Sequence, residues 1–120
     1  MNESKIVCID DDNDTCELVT FTFQVEKYEV ISCHSADEGL LKARQGKFGA
    51  IILDNRFEEK SGADICKEIR SFDSHTPIIF FSGDAQTKEI ESALESGANA
   101  YLVKATDFER LTDTVIKLIK

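Results

Sequence analysis

Short apolar runs recur along the chain at Lys5–Ile9, Tyr28–Ser32, Ala50–Leu53, Ile78–Phe81 and Ala100–Val103, with longer amphipathic stretches between them. Runs such as Ala50-Ile51-Ile52-Leu53 and Ile78-Ile79-Phe80-Phe81 are apolar at successive positions, the pattern of strands covered on both faces in a parallel sheet. Five buried strands are predicted, and helices must then lie on both sides of them.

The intervening stretches carry helix-start signals, in which a side-chain oxygen caps free backbone N–H groups and an acid three residues later reaches back. These are Asp14-x-x-Glu17, Ser35-x-x-Glu38, Ser61-x-x-Asp64 and Thr106-x-x-Glu109, while Gly46 and Gly97 stand where helices would stop in a left-handed cap. Phe108, Leu111, Val115 and Leu118 form one apolar stripe on the last helix. Against this reading, Val19–Val25 alternates apolar and polar residues and is rich in β-branched and aromatic side chains, so local pattern favours a strand there. A connection between two parallel strands needs a crossover of about a dozen residues, and a helix is therefore expected instead.

Strands alternating with helices predict an α/β fold, a doubly wound five-stranded parallel sheet with order 2-1-3-4-5. No repeat or linker interrupts the pattern, and Pro77 precedes the fourth strand, where its missing N–H does little harm. The 120 residues suit one domain, 1–120, without an output domain.

Fourteen basic against twenty-three acidic residues leave a net charge of −9, which argues against direct nucleic-acid or anionic-membrane binding. No apolar run approaches the roughly 20 residues that span a bilayer, and a cytoplasmic location is expected. Cys8, Cys16, Cys33 and Cys66 show no C-x-x-C spacing and read as reduced core thiols. His34 and His75 flank predicted elements and are expected to be exposed.

In this class of fold, ligands bind outside the carboxyl ends of the strands. The residues closing the runs are Asp10 and Asp11, Asp54, Ser82 and Lys104. With the expected strand order they converge as three carboxylates, a hydroxyl and an ammonium. Carboxylates that close repel one another and ask for a cation. An all-oxygen set selects a hard ion, Mg2+ with Mn2+ as a substitute. A cation beside Asp54, with Lys104 as second positive charge, would let Asp54 act as nucleophile toward a phosphoryl group while Ser82 donates to a phosphoryl oxygen. A calcium loop over Asp10-x-Asp12-x-Asp14 is excluded because its sixth position is Thr15 and its twelfth Phe21.

Ile9-Asp10-Asp11-Asp12, Asp54 with Gly62 eight residues on, Ile78-Ile79-Phe80-Phe81-Ser82-Gly83 and Gly97–Lys104 together resemble the receiver domains of two-component response regulators, over the whole chain. The resemblance implies a flavodoxin-like (βα)5 sandwich. It implies that Asp54 is the phosphoacceptor, that Asp11 and Asp54 ligate magnesium directly, that Asp10 helps through water, and that the Arg56 backbone carbonyl completes the set. Ser82 and Tyr101 would be the switch, altering the surface around the fourth and fifth helices. The implied partners are a sensor histidine kinase or histidine phosphotransfer protein and a downstream protein effector. The domain would be a monomer or a phosphorylation-dependent dimer, catalysing only its own phosphorylation and dephosphorylation.

Ala105 stands where the family usually has proline after the lysine, so a trans or strained cis bond is expected there. Arg56 and Asp84 occupy the positions that tune phosphoryl lifetime in the family. Their opposite charges suggest a pair that shields the phosphoryl group from water. Two other readings compete: a receiver-fold interaction module independent of phosphate, and an aspartyl phosphatase or phosphotransferase, for which the chain lacks a cap segment.

Overall fold

A computed structural model describes residues 4–120. Five strands, β1 (Lys5–Ile9), β2 (Glu29–Cys33), β3 (Ala50–Leu53), β4 (Ile78–Ser82) and β5 (Ala100–Val103), alternate with α1 (Asn13–Val25), α2 (Ala36–Gln45), α3 (Gly62–Arg70), α4 (Thr87–Glu95) and α5 (Lys104–Ile119). All neighbouring strands pair in parallel, in the order β2-β1-β3-β4-β5. The doubly wound sheet expected from the pattern is the one observed.

Successive side chains point to opposite faces, and helices cover both, so the central strands β1, β3 and β4 are apolar almost without a break, whereas the edge strand β2 carries Glu29 and Ser32. Val7, Ile9, Ile51, Leu53, Ile78 and Phe80 pack with α2 and α3, whereas Ile6, Cys8, Ile52, Ile79, Phe81 and Leu102 pack with α1 and α5. Both layers are sealed from water. The four cysteines are buried and free, and both histidines are exposed.

Residues 19–25 lie within α1, as the crossover requires. Cys16, Val19 and Phe23 form its buried stripe. Leu18, Phe21 and Val25 face outward, which is why the alternating pattern looked strand-like. Thr20 and Thr22 donate to the Cys16 and Leu18 carbonyls, both at 2.7 Å, and so satisfy their hydroxyls one turn back along the helix.

Several expected boundaries shift. The second strand is Glu29–Cys33, not Tyr28–Ser32, because Tyr28 is the residue that turns out of α1, donating its N–H to the Phe23 carbonyl at 2.9 Å. Asp12, not Asp14, caps α1, accepting from the Asp14 N–H at 3.2 Å. The last helix begins at Lys104, two residues before the expected Thr106 cap, and Asp107 accepts from the Val103 N–H at 2.9 Å. Without a proline after it, Lys104 is free to take the helical conformation that a following proline ring would disfavour. No peptide bond among the described residues is cis, so the Lys104–Ala105 bond is trans. Ser35 and Ser61 cap α2 and α3 as expected, Ser61 in a full capping box with Asp64. Gly97 has φ +116, the left-handed region that glycine enters freely, but Gly46 is extended, with φ −178, and is not a left-handed cap.

Candidate functional site

The carboxyl ends of β1, β3, β4 and β5 bring Asp10, Asp11, Asp54, Ser82 and Lys104 together. β1 and β3 pair with Ile9 opposite Leu53, so Asp10 and Asp54 leave the sheet side by side. Asp10, Asp11 and Asp54 each place a carboxylate oxygen within 4.8 Å of the others. No other such cluster of three potential metal ligands occurs among the described residues.

Lys104 arrives from the end of β5. Its Nζ donates to Asp10 Oδ2 at 2.9 Å and to Thr15 Oγ1 at 3.2 Å, and lies 4.0 Å from Asp54 Oδ1. Thr15 escaped the sequence reading. It sits in the first turn of α1, where its hydroxyl donates to Asp12 Oδ2 at 2.8 Å and accepts from Lys104. Its signal was its place five residues after Asp10, legible only once Asp12 is known to start the helix. Asp10 is buried, and its Oδ1 accepts the Asp12 N–H at 2.9 Å.

Burial pushes the Asp54 carboxyl above the usual carboxylate range and the Asp10 charge pushes it further, while Lys104 pulls it back. Asp10 is likewise raised by burial, against the opposing pull of the Asp12 N–H and Lys104. Burial disfavours the Lys104 ammonium, but Asp10 and Asp54 outweigh it and hold its pKa above the ordinary lysine value. One ammonium thus faces more negative charge than it can neutralise. A hard divalent cation fits this surplus and this all-oxygen donor set.

Ser82 is buried at the end of β4, and its Oγ accepts the Asp84 N–H at 3.2 Å. Arg56, two residues past Asp54, pairs its main chain with Ser61 and reaches Asp84 Oδ2 with Nη2 at 2.6 Å. The Tyr101 ring stacks on Phe80, its partner across β4 and β5, with centroids 5.5 Å apart and planes at 10°. Its hydroxyl donates to the Asp84 carbonyl at 2.7 Å. An open cleft of about 670 Å3 is lined by Asp54, Arg56, Ser82, Gly83, Asp84 and Lys104, among others.

The family model for the response regulator receiver domain matches residues 6–116. The chain belongs to that family. Curated relatives include the transcriptional regulatory protein ZraR of Salmonella typhimurium, 29% identical over 114 residues, 95% of this chain but 26% of ZraR. Another is the response regulator ArlR of Staphylococcus aureus, 28% identical over 98% of this chain and 53% of ArlR. The chain spans about a quarter to a half of these relatives' lengths. Among solved structures, a two-component response regulator from Clostridium difficile matches with TM-score 0.89 at 26% identity, covering 96% of this chain and 94% of that one. The response regulator TrrA of Thermotoga maritima, solved in complex with Mg(2+)-BeF, matches with TM-score 0.86 at 29% identity, covering 98% and 99%. The chain is therefore a response regulator receiver domain of two-component systems, with a regulatory role. No helix among the described residues is long and apolar enough to cross a membrane.

Proposed function

We propose that this receiver domain accepts a phosphoryl group on Asp54 from a phosphohistidine of a partner kinase or phosphotransfer protein, in a magnesium-dependent reaction. The observation that carries the reading is the meeting of three carboxylates within 4.8 Å beside one ammonium at the strand ends. Magnesium would be held by Asp11 and Asp54, by Asp10 through water and by the Arg56 carbonyl, and would supply positive charge to the incoming phosphoryl group.

An Asp54 carboxylate oxygen attacks phosphorus as the P–N bond to the donor imidazole breaks, leaving an acyl phosphate on Asp54 and the electron pair on the imidazole, which takes up a proton. Lys104 faces both Asp10 and Asp54 and neutralises charge on the phosphoryl oxygens. The Ser82 hydroxyl, which accepts from the Asp84 N–H, keeps its own proton to donate to a phosphoryl oxygen. Arg56 and Asp84 lie across the cleft mouth and shield the acyl phosphate from water. Ser82 and Tyr101 transmit the change to the surface around α4 and α5, where a downstream protein effector reads it. The reaction takes place in the cytoplasm.

Incorporation of an acid-labile phosphoryl group from a small phosphodonor tests this, with and without Mg2+. About one equivalent is expected for the parent in Mg2+ and none for Asp54→Asn. Equal labelling of both proteins overturns the assignment. Partner binding undiminished in Asp54→Ala would instead favour an interaction module that works without phosphate.

A further inference from the structure

Asp84 sits in the connection between β4 and α4, and all four of its polar groups are engaged. Its N–H donates to Ser82 Oγ at 3.2 Å and its carbonyl accepts the Tyr101 hydroxyl at 2.7 Å. Its Oδ1 accepts the Gln86 N–H at 3.1 Å and its Oδ2 accepts Arg56 Nη2 at 2.6 Å. Ser82 closes β4 and Gln86 precedes α4, each two residues from Asp84, so these two bonds are local to the connection. Only Arg56 and Tyr101 tie Asp84 to a distant part of the described chain.

Little else holds this connection. Gly83, Ala85 and Gln86 are exposed, and a Cβ added at Gly83 would meet nothing within 4 Å. The start of α4 has no side-chain cap. Arg56, by contrast, projects from an anchored base: its main chain bridges Ser61, and Phe57 donates to the Lys60 carbonyl at 3.1 Å. The Asp84 side chain is 5% exposed and the Arg56 side chain 71%, so a solvated guanidinium covers a sheltered carboxylate within reach of salt, and the Gln86 N–H and Arg56 together hold the Asp84 pKa below the usual range.

We propose that Arg56 is a positioning residue for Tyr101. Its ion pair with Asp84 holds the β4–α4 connection where the Asp84 carbonyl receives the Tyr101 hydroxyl. When the pair breaks, the carbonyl drifts, and the half-buried phenol loses its hydrogen-bond partner. A polar group left unsatisfied in that way turns toward water. One side chain, two residues past the acceptor, thereby governs the readout as well as the cleft mouth. The inference rests on the receiver reading only for what Tyr101 signals. The contact chain itself needs no phosphoryl transfer.

Tyr101 becomes the sole tyrosine when Tyr28 is replaced by phenylalanine, and the chain has no tryptophan, so acrylamide quenching of tyrosine emission then reports Tyr101 alone. With no phosphodonor present, Arg56→Gln and Asp84→Asn are each expected to raise the quenching constant about threefold, and the double variant no further. Arg56→Lys retains most of the protection. Raising NaCl to about 1 M, which shortens the screening length to about 3 Å, increases quenching in the parent and leaves Arg56→Gln unchanged. An unchanged constant in Arg56→Gln, additive effects in the double variant, or a parent indifferent to salt overturns the proposal. Because phosphate plays no part in the measurement, failure of Asp54 to take a phosphoryl group would leave this result standing, and the reverse holds too.

Discussion

Replacing Gly62 by alanine sets a methyl group against the main chain that carries the acceptor. Gly62 opens α3, buried beneath the end of β3. A Cβ there would collide with the Asp54 carbonyl oxygen and come within 2.6 Å of Phe80 Cε2 and 2.8 Å of Asn55 Cα. Two of these three neighbours are backbone and cannot rotate away. Gly62 cannot slide either, since its N–H donates to the Asn55 carbonyl at 2.7 Å and the Ser61–Asp64 capping box pins the same turn.

Overpacking of this kind costs about 1–3 kcal/mol, and losing the Asn55 bond about 1 kcal/mol more, so a destabilisation of about 3 kcal/mol is expected. For a domain of this size that lowers the melting temperature by about 10 °C. Helix propensity alone predicts the opposite sign, since alanine is favoured over glycine by up to about 1 kcal/mol. Urea and thermal unfolding of Gly62→Ala beside Gly83→Ala decide the matter. Gly83 has open space around it and its variant should stay within about 0.5 kcal/mol of the parent. A Gly62→Ala protein as stable as the parent would refute the packing argument.

Other expectations follow from the same geometry. A carboxyl whose folded pKa is raised binds more protons folded than unfolded, so its contribution to stability grows as pH falls through the window above the ordinary value of 3.8 and is least at neutral pH. Asp54→Asn should therefore raise the melting temperature at pH 7 in chelator, lose that advantage as pH falls through this window, and abolish most of the further rise that Mg2+ gives the parent. Thermal scans across pH, with and without Mg2+, check all three. Arg56→Asn should shorten the lifetime of the phosphorylated protein, measured as decay of acid-labile label, and an unchanged or longer lifetime would contradict the shielding role. Arg70 donates to the carbonyls of Asp73, Thr76 and Gly97 and to Asn99 Oδ1 at 2.8–3.1 Å, tying the end of α3 to the turns before β4 and β5. Its replacement by alanine should cost about 2–3 kcal/mol in urea unfolding, with lysine restoring little because it lacks the planar fork.

The strands were legible because a sheet covered on both faces leaves an unbroken apolar run, and three of them end in the carboxylates and ammonium of the site. Helix starts were less so. Asp12 and Asp14 are equally good caps in sequence, and only the path of the chain out of β1 chooses between them. Val19–Val25 carried a strand-like pattern because Phe21 and Val25 face solvent and two threonines satisfy themselves within the helix, features that only the packing of Val19 and Phe23 reveals. Thr15 and the stacking of Tyr101 on Phe80 depend on the register between distant segments, which no local pattern encodes.

The most direct test of the account is to locate the phosphoryl group itself. After reaction with a small phosphodonor in Mg2+, borohydride reduction converts an aspartyl phosphate to homoserine, which peptide mass spectrometry assigns to a single residue. Homoserine at position 54 alone, lost when Mg2+ is chelated, is the predicted result. Modification at another carboxylate, or at Asp54 to the same extent without a divalent cation, would contradict it.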